Sequence, residues 1–135
     1  MLEVYSTQQT VDTGMAIPLN NISVSKGNTA VLLAPATVAL NKSGVYSIIV
    51  DASGEAQTDG EIVIQMSKNG VLQAQAQSTV TGATGDIDTL GFATLVQVSD
   101  NNSCRCSDSP TTIQFMNTGV ETIYNNVNVV ITKVC

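Results

Sequence analysis

No stretch of the 135-residue chain has helical periodicity. Short period-2 runs rich in Val, Ile and Thr recur instead between clusters of Gly, Asn, Asp and Ser. Side chains of an extended strand point alternately to opposite faces, so this pattern admits strands and turns and little else. The sharpest local signal is Lys68-Asn69-Gly70, set between the runs Ile62–Ser67 and Val71–Val80. Asn and Gly both tolerate positive φ, and the spacing predicts a hairpin closed by a type I′ turn.

Other strands are expected over Thr29–Leu33, Thr37–Leu40, Val45–Ala52, Thr89–Ser99, Thr111–Asn117 and Asn126–Val134, the last apolar enough to lie centrally in a sheet. Met15–Val24 reads as an edge strand interrupted at Pro18, since proline cannot donate to a ladder. Asp51–Glu61 (DASGEAQTDGE) reads as an acidic loop and Asp100–Pro110 (DNNSCRCSDSP) as a polar one. Roughly eight to ten strands with short turns fit an all-β, two-sheet antiparallel sandwich of the Greek-key or jelly-roll type. The expected organisation is a single domain over 1–135, with 1–13 an N-terminal arm or anchoring segment and 14–135 the sandwich.

Apolar residues make up 43% of the chain but aromatics only 4%, with no Trp, so the core must be aliphatic. Charged residues are 12%, about half the usual share, and the polar surface is mostly Thr, Ser, Asn and Gln. A nearly uncharged surface suits copies that pack closely, and equally a plain hydrated sandwich. Gln73, Gln75 and Gln77 alternate with Ala74 and Ala76, giving an amide face for another copy or for solvent. The net charge of −6, with Lys26, Lys42, Lys68, Arg105 and Lys133 the only cations, argues against nucleic acid and against an anionic membrane as partner. The N-terminal segment lacks the basic and apolar regions of a signal peptide, so synthesis in a cytosol is expected.

The chemistry of a relay enzyme is missing. With no His, neither a Ser-His-Asp nor a Cys-His arrangement can form, and no carboxylate pair stands in a recognisable motif. Asp51, Glu55, Asp59 and Glu61 share one predicted loop, but their spacing matches no EF-hand and a solvated loop is the simpler reading. Gly82 and Gly85 lack the Lys-Ser/Thr of a phosphate cradle. Cys104, Cys106 and Cys135 leave three readings open: reduced thiols, a disulfide from Cys135 to Cys104 or Cys106, or a thiolate site one ligand short of structural zinc. No cofactor, no metal and no catalytic activity are expected. Ligand contacts are expected from the two loops, through Asp51, Glu55 and Asp59 in one and Asn101, Asn102 and Arg105 in the other.

Gly44-Val45-Tyr46 heading one strand, followed by Lys68-Asn69-Gly70 closing the next, resembles the trimeric jelly-roll heads of the tumour-necrosis-factor and C1q superfamily. The likeness extends loosely over Gly14–Val134, without that family's core aromatics or a collagen-like stalk. It implies a homotrimer, and the pairing face is expected to include some of Tyr46, Ile48, Gln75 and Phe115. Standalone heads of this kind look like bacteriophage head fibres, capsid decoration proteins and receptor-binding tips. By that analogy the chain is a non-enzymatic protein of the virion surface, partnered by itself, by the major capsid protein or another virion component, and by a host-surface glycan. The competing readings are a bacterial cell-surface or spore-coat adhesin head, a phage tail-tip protein, and a carboxylate-dependent glycan hydrolase.

Overall fold

The computed structural model describes residues 1–99 and 111–135, which form strands and turns throughout. The strands are β1 (Leu2–Ser6), β2 (Gln9–Val11), β3 (Met15–Ala16), β4 (Asn21–Ser25), β5 (Ala30–Ala34), β6 (Thr37–Leu40), β7 (Gly44–Ala56), β8 (Gly60–Lys68), β9 (Val71–Gly82), β10 (Ile87–Val98), β11 (Thr111–Asn117) and β12 (Thr122–Lys133). One sheet has the order β10-β7-β12-β1-β4, with β2 also on β12; the other has β5-β6-β11-β8-β9, with β3 on β11. Every ladder is antiparallel.

The Asn69-Gly70 turn forms as its residues dictate. Both have positive φ, +52° and +84°, and Lys68 faces Val71 across a two-residue loop. The apolar run at the chain's end forms β12, paired with β7 on one side and β1 on the other. Pro18 divides its segment between the sheets: β3 joins β11 before it and β4 joins β1 after it.

Residues 1–13 do not stand apart as an arm. Leu2 and Val4 are completely buried, β1 pairs along its whole length with β12, and β2 pairs with β12 further on. The alternation in Leu2-Glu3-Val4-Tyr5-Ser6 supplies the buried face, and burying each such aliphatic side chain is worth about 1.5–3 kcal/mol.

The inward positions of both sheets are aliphatic. Ile48, Val127, Val129 and Ile131 of the first sheet and Ile62, Ile64, Met66 and Ile113 of the second are fully buried in one cluster. The two buried tyrosines, Tyr46 and Tyr124, sit where their hydroxyls find partners, as burial requires. Tyr46 donates its hydroxyl to the carbonyls of Lys42 at 2.7 Å and Thr29 at 3.4 Å, pinning two turns to β7. Where the sheets meet at one side, the Gly91 amide of β10 donates to Ser78 Oγ of β9.

Antiparallel pairing sorts the turns to two ends. One end gathers residues 12–14, 57–59, 83–86 and 118–121; the other gathers 26–29, 41–43, 69–70 and the close of β12.

Candidate functional site

The acidic stretch expected as one loop is mostly strand. β7 continues through Ala56, so Asp51 stands mid-strand opposite Gly91 and Asn128, and Glu55 pairs with Ile87 and Ile123. The reason lies in β12: a Cβ on Gly54 would meet Thr122 Cγ2 at 2.9 Å and Tyr124 Cδ1 at 3.1 Å, so the glycine that suggests a loop is the seat on which β12 packs. Only Asp59 remains in a turn. Its Oδ1 accepts from the Thr84 amide at 2.9 Å and from Thr84 Oγ1 at 3.2 Å, while Glu55 Oε1 accepts from the Gly85 amide at 3.1 Å. Two carboxylates thus satisfy the β9–β10 turn, and Asp51 is remote from both.

At the same end, Glu121 lies beside Asp12, where β2 meets β12. Hydrogen bonding and repulsion from the Asp12 carboxyl hold the Glu121 carboxyl above its ordinary range. Among the described residues no group of three or more His, Cys, Asp or Glu is placed to hold a metal ion.

Asn101, Asn102, Cys104, Arg105 and Cys106 lie outside the described residues, and with them the whole Asp100–Pro110 loop and any pairing of its thiols. Cys135 is exposed, and its carbonyl accepts from the Val45 amide at 3.2 Å. The residues flanking that loop, Val98 paired with Gly44 and Thr111 paired with Leu40, stand at the opposite end from Asp59. The two loops expected to share ligand binding therefore start from opposite ends of the sandwich.

Tyr46, Ile48 and Phe115 are fully buried and take no part in a surface. The most apolar exposed face is the outward phase of β10, β7 and β12. Ala93, Ile49 and Val130 form a cross-strand row over β10, β7 and β12, flanked by Leu95–Ser47–Thr132 and Gly91–Asp51–Asn128. Ile49 is 50% and Leu95 62% exposed, uncommon values for large aliphatics in mid-strand. Glu3 continues this row as the partner of Val130 on β1, and accepts from Asn128 Nδ2 at 3.2 Å. The signal was present in β7, where Ile48-Ile49-Val50 is apolar in both phases and one phase must face outward.

Gln75 is exposed, but the glutamines form no flat ladder. β9 pairs Gln77 with Gln65 and Leu72 with Ser67, so residues 73–76 form a bulge opposite Met66, with Ala76 turned inward and buried. The bulge is held by its own amides, Gln65 Nε2 to the Gln73 carbonyl and Gln77 Nε2 to the Ala74 carbonyl.

No family model matches the chain, and no curated protein matches it. Solved structures do. The globular domain of zebrafish complement 1qA superposes with a TM-score of 0.66 at 9% identity, over 96% of this chain and 94% of that one. This is a TNF/C1q-like jelly roll. The vertex protein P5 of PRD1 matches the jelly roll with a TM-score of 0.63 at 13% identity, over 99% of this chain and 96% of that one. Murine APRIL matches it with 0.61 at 9% identity, over 98% and 97%. At such identities the likeness extends to the fold alone.

Proposed function

We propose that this jelly roll is a non-enzymatic virion surface protein, a head fibre or capsid decoration, that assembles as a homotrimer through the outer face of the β10-β7-β12-β1-β4 sheet. The observation that carries the reading is the row Ala93–Ile49–Val130 with Leu95 beside it. The aliphatic row can be desolvated against a second copy at little electrostatic cost if Asp51 and Glu3, the latter bonded to Asn128, keep to its solvated margin, and a closed ring of copies hides the row. The likeness to a virion vertex protein supports the location. The carboxylates Glu55 and Asp59 are engaged by backbone amides, so the turns at that end offer hydroxyls and amides for binding a surface glycan more readily than a base for hydrolysis.

Light scattering tests the assembly. The wild type is expected at the mass of three chains, and Ile49→Asp with Leu95→Asp at the mass of one, both folded because the side chains are exposed. A wild-type monomer at micromolar concentration would remove the trimer. Antibodies to the purified chain should label the surface of phage particles from the producing host; labelling of the cell envelope alone would favour an adhesin.

A further inference from the structure

The fold separates the charges that the sequence mixes. Asp12, Glu55, Asp59, Glu61, Asp86, Asp88 and Glu121 all fall at the end that gathers the turns 57–59, 83–86 and 118–121. All the lysines fall at the other. Lys26 lies in the β4–β5 turn and Lys42 in the β6–β7 turn, and Lys68 and Lys133 close β8 and β12.

These lysines form one rim around Gly44 and Val45. Asn41 binds the Lys26 turn to the Lys42 turn, with its amide on the Thr29 carbonyl at 2.8 Å and its Nδ2 on the Asn28 carbonyl at 2.9 Å. Lys133 lies over Gly44, where an added Cβ would come within 3.1 Å of its Nζ. Lys68 Nζ donates to the Gln97 carbonyl at 2.9 Å, and Gln97 pairs with Val45. Among the described residues no side-chain carboxylate stands on this rim; Glu3 and Asp51 lie further along their strands.

The net charge of −6 does not cancel this. A strand as long as β7 spans about 40 Å, and charges are screened over about 8 Å at physiological salt. The described side chains of each end therefore present their own sign to whatever approaches them. We propose that the lysine-bearing end is a docking face for an acidic protein surface, so that the molecule stands end-on with its carboxylate-rich end outward. The inference rests on the virion reading only for the identity of that acidic surface. Protein is favoured over nucleic acid because, among the described residues, the rim carries separate ammonium groups and no exposed aromatic on which a base could stack.

The test uses immobilised polyglutamate as the acidic probe. The wild-type chain, although anionic overall, is expected to be retained in about 20 mM NaCl and released by about 300 mM. The triple variant Lys42→Gln, Lys68→Gln, Lys133→Gln should bind about tenfold more weakly or worse, whereas Lys→Arg at the same positions keeps the binding. Asp59→Asn with Asp86→Asn, at the other end, should leave it unchanged. No retention at low salt, equal retention of the Gln variant, or tighter binding to duplex DNA than to polyglutamate would each overturn the inference. If the triple variant does not fold, Lys42→Gln alone and the wild-type salt dependence decide. Loss of polyglutamate binding beside intact particle labelling defeats this inference and spares the virion reading; the converse result defeats the virion reading alone.

Discussion

The phenol of Tyr124 donates to Asn117 Oδ1 at 3.2 Å, and both side chains are completely buried. Asn117 in turn donates Nδ2 to the carbonyls of Val11 at 2.9 Å and Val120 at 3.0 Å, and its Oδ1 also accepts from the Gly119 amide at 3.3 Å. One amide thus joins β2, the end of β11 and the β11–β12 turn. Burial pushes the Tyr124 hydroxyl above its ordinary pKa, so it remains a donor throughout the neutral range. Tyr124→Phe is expected to cost about 1 kcal/mol and Asn117→Ala about 3 kcal/mol or more, since the second change strands several buried partners at once. Urea unfolding midpoints measure both; equal midpoints for the two variants would show that Asn117 is no hub.

Gly44 has φ +141°, and a Cβ there would collide with the Cys135 carbonyl. The contact holds the end of the chain on β7, where the Val134 amide donates to the Val45 carbonyl at 2.8 Å. Gly44→Val should free this segment. The Val134 amide is then expected to exchange with solvent far faster than in the wild type, while Val129, in mid-strand, keeps its protection.

At the β8–β9 turn, Asn69 combines φ +52° with a side-chain carbonyl that accepts from the Thr112 amide at 2.9 Å. Asn69→Gly keeps the conformation and loses the acceptor, a cost of about 1 kcal/mol. Asn69→Val loses both and should cost about 2 kcal/mol or more. Thermal melts of the pair separate the conformational part from the hydrogen bond, and Val no worse than Gly would mean that positive φ is not the constraint.

Asp12 and Glu121 predict a pH dependence with a definite sign. Because the Glu121 pKa is raised in the folded state, the folded chain binds more protons than the unfolded one just above the ordinary value of 4.5. Stability is then highest below that value and is lost as pH rises through the raised pKa. Asp12→Asn removes the repulsion. It should raise the melting temperature at about pH 7 and have a much smaller effect at about pH 3, where the Glu121 carboxyl is protonated. A melting temperature that falls near neutrality would contradict the pairing.

Period-2 alternation and turn chemistry determined the all-β class, the Asn69-Gly70 hairpin and the central place of β12, because each is a local property of a few consecutive residues. Tertiary structure decided the rest. Gly54 reads as a loop residue until Tyr124 packs over it, and Leu2-Glu3-Val4 is too short to declare itself a strand until β12 lies alongside. The outward phase of Ile49, the burial of Tyr46 and Phe115, and the sorting of lysines from carboxylates are relations between residues distant in sequence. Antiparallel pairing alone brings Lys26, Lys42, Lys68 and Lys133 to one rim, and no window of sequence contains that information.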